Sequence, residues 1–438
     1  AFNKSVYEKA LTLSGQTQVE YDGMMRIDWK IEPRTQARLE QLTFEVPLRA
    51  EYAKYFYYHP DYQAHWYVHR PGVLPRDGVV MGFAPILWFG DEDRGLMWFS
   101  ESEINWFNAN PDQAVEIVRY SDTIVMRLHL VDKPIELVPG ASNSTLDYVF
   151  GLQATPVKPI MKTVWDYRIF HVSQGTFGVE TRLKIPNSTL DRLAELGVKT
   201  IAFHEHWTDI EAYTTTTYGD DLRSLIKACH ERGIQLLIYF GFLLSDLAPE
   251  WPYFNEEALV APRSGYDPYN YPPQPVQKAF TVCYRSVRQD ALVDGIARLM
   301  DEYDIDGVYL DGTASLFGGC RNILHGCGYK RSPLQGPEMR FFPDLRGGVT
   351  SRENAYVGSD GVATTYAIFP VRETLRRIYT VVKSHKPDGQ VNVHQSAFMT
   401  PALAFATSYW DGEQLSRPQG MTTMERLPLD MFRAEFMG

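Results

Sequence analysis

Ile305-Asp306-Gly307-Val308-Tyr309-Leu310-Asp311-Gly312 reads as a short buried strand that ends in a carboxylate followed by glycine. Alternation along a strand puts Gly307, Tyr309 and Asp311 on one face and Val308 and Leu310 on the other. A helical pattern over 287–303 precedes it. Helix then strand is the grammar of a parallel barrel, where a charged residue at a strand's C-terminal end stands at the active-site mouth. An aspartate there costs desolvation free energy that folding alone gives no reason to bear. The structural alternative is an aspartate that caps the following loop.

Outward from this strand the same grammar repeats. Strands are expected at 165–172, 200–206, 235–241, 307–311, 390–395 and 404–411, with helices at 189–196, 220–232, 287–303 and 369–386. The long segments 249–277 and 312–363 follow strands, so they gather over one barrel face as a substrate-enclosing rim would. Six strands are accounted for, and the barrel is expected to continue beyond Gly438. Before Ala154-Thr155-Pro156-Val157-Lys158-Pro159 the pattern differs. Alternating runs at 18–31, 42–49, 79–89, 95–100, 123–131 and 145–152 are separated by turn signals and suit a β-sandwich. The expected fold is therefore multidomain β plus α/β, an N-terminal β-sandwich over 1–155 and a (β/α)8 TIM-like barrel over 156–438, incomplete in this sequence.

The chain has 438 residues and a formal net charge of −11. That balance argues against nucleic acid or an anionic membrane as the main partner, because both demand basic surface. No apolar run approaches the roughly 20 residues of a membrane span. The 9 Trp, 26 Tyr and 23 Phe suit a large core and also the flat faces that sugar-binding clefts use. No signal peptide is visible, and the chain opens at Ala1 without methionine. Of the four cysteines, Cys229 and Cys283 fall in or near regular elements. Cys320 and Cys327 share one glycine-rich loop, and a disulfide staple or free thiols suit that loop best. Cys320, His325 and Cys327 as metal ligands lack an obvious fourth.

The strand-end residues expected to face inward are His204, His206, Asp311, Asn392, His394, Asp411 and Glu413. Glycoside hydrolysis needs two carboxylates flanking the scissile bond, about 5–5.5 Å apart for retention and about 6.5–9.5 Å for inversion. Asp311 suits the nucleophile, and Asp411 or Glu413 the general acid, kept protonated by a neighbouring carboxylate and apolar walls. His204, His206, Asn392 and His394 would bind sugar hydroxyls. Trp207, Trp251, Tyr309, Tyr409 and Trp410 would supply contact faces. Asp411-Gly412-Glu413 also admits substrate assistance by a 2-acetamido group. No cofactor and no metal are expected on this reading, and a carbohydrate is the partner. Two alternatives stand beside it. In one, His204-x-His206 with His394 and Asp311 forms a metal-dependent hydrolase site. In the other, the barrel only binds carbohydrate.

Trp88-Phe89-Gly90-Asp91-Glu92-Asp93-Arg94-Gly95-Leu96-Met97-Trp98-Phe99-Ser100-Glu101-Ser102, Phe203-His204-Glu205-His206-Trp207-Thr208, Tyr239-Phe240-Gly241, Tyr309-Leu310-Asp311-Gly312, His325-Gly326-Cys327-Gly328 and Tyr409-Trp410-Asp411-Gly412-Glu413 resemble segments of glycoside hydrolase family 123-like proteins. The resemblance implies a β-sandwich followed by a (β/α)8 barrel that acts on glycans. It also implies a bacterial, secreted or periplasmic setting in polysaccharide or glycoconjugate breakdown. Family 123 enzymes use an adjacent Asp–Glu pair with substrate assistance, whereas here Gly412 splits the pair. The strand-four aspartate looks more like that of retaining α-glycosidases of the α-galactosidase and endo-α-N-acetylgalactosaminidase type.

Overall fold

The computed structural model describes residues 2–6, 9–59, 71–142, 144–159, 162, 167–172, 183–266, 275–312, 319–332, 335, 339–342, 351–354, 361–395, 401–410 and 429–436. The first part is antiparallel. An eight-stranded sheet runs in the order Phe2–Val6, Leu11–Val19, Met25–Pro33, Leu146–Thr155, Gly95–Phe99, Ile86–Gly90, Tyr55–His59 and Gly72–Val73. A four-stranded sheet runs Leu42–Arg49, Thr123–Val131, Val115–Arg119 and Val79–Met81. The sheets meet through Phe44, whose ring lies 5.0 Å from Trp29 and 5.1 Å from Phe150. Alternation explains the second sheet directly. Ile124, Met126, Leu128 and Leu130 are buried, whereas Thr123, Val125, Arg127 and His129 between them are only partly so.

Two expected strands divide. The run 18–31 is a hairpin whose turn forms at Tyr21-Asp22-Gly23, where the Glu20 amide donates to the Met24 carbonyl at 2.8 Å and Gly23 takes φ +83°. The run 79–89 breaks between Val79–Met81 and Ile86–Gly90, which pair into different sheets. The segment 249–277 carries structure of its own. Trp251–Phe254 is helical, and Gly265–Tyr266 joins a small sheet with Ala279–Thr281 and Leu243–Ser245.

The large antiparallel sheets of the first part end at Thr155 and the parallel sheet begins at Arg168. Its six strands lie in chain order: Arg168–Val172, Val198–Phe203, Gln235–Phe240, Gly307–Leu310, Gln390–His394 and Ser408–Trp410. They are called strands one to six below. Helices Asn187–Glu195, Gly219–His230, Arg288–Tyr303 and Ile368–His385 alternate with them. Strands three and four are buried on both faces, as covered parallel sheets require. The protein is thus β plus α/β, with a curled parallel sheet.

Two features position strand four. At its N-terminal end Asp306 accepts from the Leu236 amide at 2.8 Å and pairs with His230 at 2.7 Å and Lys386 at 2.8 Å. At its start Gly307 has φ +140°, and a Cβ there would stand 1.9 Å from the Gln390 carbonyl oxygen on strand five. Any side chain would force the two strands apart. Gly307→Ala is expected to lower stability by about 2–4 kcal/mol, read from the denaturant midpoint. An unchanged midpoint would refute the close approach.

Arg372 joins the two parts. It lies on the helix before strand five and is 3% exposed. Its guanidinium reaches Asp22 at 2.8 Å and Glu20 at 2.7 Å from the antiparallel unit, and the Pro401 carbonyl at 2.6 Å. Among the described residues no helix is long and apolar enough to cross a membrane.

Candidate active site

Parallel strands in consecutive order put their C-terminal ends side by side. Register brings Tyr239, Tyr309, Asn392 and Ser408 into one row across strands three to six. Along strands four and five, alternation carries Asp311 and His394 to the next inward position, where His394 stands opposite Trp410. Both lie at the C-terminal ends of their strands.

Asp311 is pinned by both oxygens. His394 Nδ1 lies 2.7 Å from Oδ1, and Tyr239 donates its hydroxyl to Oδ2 at 3.0 Å. The distance to a carboxylate places the His394 ring proton on Nδ1. Tyr309 hydroxyl is 3.2 Å from the same nitrogen and supports the ring from the row beneath. Burial pushes the Asp311 carboxyl up, but the His394 and Tyr239 bonds and the His394 and His204 charges outweigh it and hold it below its ordinary range. The side chain remains 28% exposed, so this is an ionised carboxylate with one open side.

Beside it stands a pair of histidines. His171 Nδ1 and His204 Nε2 are 2.9 Å apart, a distance at which one ring must donate and the other accept. Burial, then the neighbouring His204 and His394, push the His171 imidazole down to about 4, so it is neutral near pH 7. Aromatic rings pack the group together: His171 lies 4.9 Å from Tyr309 and 4.3 Å from Trp410, and His204 stacks on Tyr239 at 5.6 Å. Tyr409 and Trp410 are exposed at the strand end.

The structure brings Asp311, His204, His394, Tyr309 and Trp410 together. It adds His171 and Tyr239, which the sequence reading missed. It also corrects four expectations. Strand two ends at Phe203, and Glu205–Trp207 form a 3-10 turn. His206 therefore leaves the strand face that His204 shares, and is buried. Trp207 is fully buried, donates its indole N–H to the Tyr239 carbonyl at 2.9 Å and packs on Phe240, so it offers no stacking face to a ligand. Asn392 is buried below the mouth and donates to the Ser408 hydroxyl at 2.7 Å. Trp251 stacks on Phe280 at 4.8 Å in the small sheet. Asp411 and Glu413 lie outside the described residues.

The His-x-His metal reading loses its geometry with the strand end. Among the described residues, the metal-ligating side chains that converge are Cys283, Cys320, His325 and Cys327. Of the two states expected for Cys320 and Cys327, a staple or free thiols, the structure has free thiols, as it does for Cys229 and Cys283.

No family model matches the chain, and no curated protein matches it. Solved structures do. One is the GH36 alpha-galactosidase AgaA from Geobacillus stearothermophilus in complex with 1-deoxygalactonojirimycin, with TM-score 0.48 and 11% identity over 92% of this chain. This chain spans 57% of that one. TtGalA, an alpha-galactosidase from Thermus thermophilus in complex with stachyose, gives 0.40 and 12% over 95% of this chain and 80% of its own. Alpha-N-acetylgalactosaminidase NagBb from Bifidobacterium bifidum gives 0.41 and 11% over 99% of this chain and 72% of its own. These neighbours are glycoside hydrolases.

Proposed function

We propose that the chain is a glycoside hydrolase in which Asp311 is the nucleophile or the stabiliser of an oxocarbenium-like transition state. The observation that carries this is the double anchoring of Asp311. A carboxylate that accepts one bond on each oxygen, from His394 and Tyr239, stays ionised and correctly aimed, which is what attack or charge stabilisation at an anomeric carbon needs. The same bonds disqualify it as the proton donor, which has to hold its proton near neutrality. Asp411 or Glu413, the next carboxylates in the chain after Trp410, take that role. Trp410 and Tyr409 supply apolar faces to a sugar ring, and His204 and His171 supply polar contacts. The curled sheet belongs to a (β/α)8 barrel preceded by a β-sandwich, divided at 155/156, and the family 123-like resemblance belongs with this reading.

The direct test is hydrolysis of a panel of aryl glycosides by the purified chain, with and without chelator. Cleavage of at least one, unaffected by chelator, is expected. No cleavage by the folded chain, or a metal ion that activity requires bound by Asp311, His204 or His394, would overturn the two-carboxylate mechanism.

A pH prediction follows. Asp311 must be ionised, and its folded pKa lies below the ordinary value. The acid limb of kcat/KM therefore falls below the usual carboxylate range, as pH drops through the depressed pKa. His394→Ala removes the largest lowering influence and leaves burial to dominate. Its acid limb is expected at higher pH than wild type. A limb that stays in place would show that another group sets it.

A further inference from the structure

Cys283 arrives from the loop after strand three, and Cys320, His325 and Cys327 from the loop after strand four. The sequence separates Cys283 from Cys327 by 44 positions, yet their sulfurs lie 3.6 Å apart. His325 Nε2 lies 3.2 Å from the Cys320 sulfur. All four ligand atoms fall within 4.8 Å of one another. A tetrahedral zinc site, with Zn–S near 2.3 Å and Zn–N near 2.0–2.1 Å, requires sulfur–sulfur separations of about 3.7 Å and slightly shorter nitrogen–sulfur ones. The Cys283–Cys327 sulfur pair at 3.6 Å and the His325–Cys320 pair at 3.2 Å stand near those spacings, with the other pairs inside 4.8 Å. A disulfide would bring one sulfur pair to about 2.05 Å and leave the third thiol and the imidazole unused.

The surroundings are built as a metal site's are. His325 Nδ1 stands 2.6 Å from the Glu257 carbonyl oxygen, so Nδ1 carries the proton and Nε2 is the free lone pair that faces the sulfurs. The Asn322 amide donates to the Cys320 sulfur at 3.3 Å, a bond that favours thiolate. Asn322 itself is tied by its side chain to the carbonyls of Glu256 and Leu259, both at 2.8 Å. Gly326, with φ +76°, makes the reversal that puts His325 and Cys327 on the same centre. The three cysteines are buried.

We infer that Cys283, Cys320, His325 and Cys327 bind one zinc ion in a closed, structural Cys3His site. Four protein ligands leave no open position, so the ion takes no part in the chemistry at Asp311. Binding needs the three thiols as thiolates, and their protons go to solvent. The site fastens the loop after strand three to the loop after strand four. It does so next to the antiparallel unit, because Arg285, two residues from Cys283, pairs with Glu101, and Glu101 accepts from the Phe369 amide at 2.9 Å. Zinc therefore holds together the rim around the candidate active site.

The test is metal analysis of the full chain purified under reducing conditions, followed by replacement with cobalt. About one equivalent of zinc is expected. Cobalt should give the intense visible bands of a tetrahedral ion and a thiolate-to-metal charge-transfer band in the near ultraviolet. Cys283→Ser is expected to weaken binding at least tenfold, and Cys229→Ser, at a buried thiol away from the cluster, to leave it unchanged. If Cys283→Ser does not fold, wild-type protein stripped with chelator under reduction answers the same question. Uptake of one cobalt with the thiolate band supports the site. Failure of the reduced protein to take up zinc or cobalt overturns it, as does iron with labile sulfide or a disulfide among the three cysteines. None of these readouts depends on glycosidase activity, so the zinc site and the hydrolase reading stand or fall separately.

Discussion

Asp311→Asn is expected to lower kcat/KM for the cleaved aryl glycoside at least about 10³-fold, or roughly 4 kcal/mol of transition-state stabilisation. The amide keeps the shape and one acceptor oxygen but loses the charge. Tyr239 can still donate to it at the position it now holds, 3.0 Å away. The negative charge opposite a developing oxocarbenium ion is gone. Folding should survive, because the side chain is partly exposed and Asp306, not Asp311, ties strand four into the sheet. Asp306→Asn is the contrast. It removes the charge that pairs with His230 and Lys386 and leaves one acceptor oxygen where two now serve His230, Lys386 and the Leu236 amide, at the opposite end of the strand. That change should cost stability while leaving turnover per folded molecule close to wild type. Asp311→Ala with added azide separates the two roles proposed for Asp311. A nucleophile leaves a vacancy that azide fills to give a glycosyl azide, whereas a charge stabiliser gives none. An Asp311→Asn variant within about tenfold of wild type would sink the assignment altogether.

Strand four was legible because Gly307, Tyr309 and Asp311 alternate with Val308 and Leu310, and because a carboxylate before glycine interrupts an apolar run. Strand three was legible as a strand but not as a contributor to the site. Its residues Gln235–Phe240 are covered on both faces, so no polar alternation told which way Tyr239 points. His171 lies on a short first strand and shares no motif with His204, so only the pairing of His171 with Ala202 reveals their contact. Strand two misled for a different reason. His204-Glu205-His206-Trp207 keeps strand-like alternation in sequence, but the chain turns into a 3-10 helix once Phe203 has made its last rung. Trp207 then goes inward under strand three, where its indole N–H finds the Tyr239 carbonyl. The fourth ligand of the cysteine cluster was illegible for the plainest reason. Nothing local links Cys283 to the loop it meets, and only the fold brings them together.

Arg372→Ala is expected to cost about 3–5 kcal/mol, the usual penalty for stripping one partner from a buried ion pair. The guanidinium is 3% exposed and Asp22, its main partner, 1%. Without Arg372, the buried Asp22 side chain loses the guanidinium it pairs with at 2.8 Å, and the Pro401 carbonyl loses its donor at 2.6 Å. The Arg372 guanidinium also lies over the Phe405 ring, 4.8 Å from its centroid, so truncation leaves a gap as well. The location makes this more than a local loss. Asp22, Glu20 and Gln153 belong to the antiparallel unit, while Arg372 stands on the helix that leads into strand five and His394. The measurement is the denaturant midpoint of Arg372→Ala, of Asp22→Asn and of the pair. Removing the carboxylate charge together with the arginine should recover part of the loss, with a coupling of roughly 1–3 kcal/mol. Additive effects, or a single-variant cost under about 1 kcal/mol, would mean that the antiparallel unit and the parallel sheet are joined by apolar packing and that the buried pair contributes little. A clear coupling would instead make this charge cluster the joint that fixes strand five, and so His394, relative to the rest of the protein.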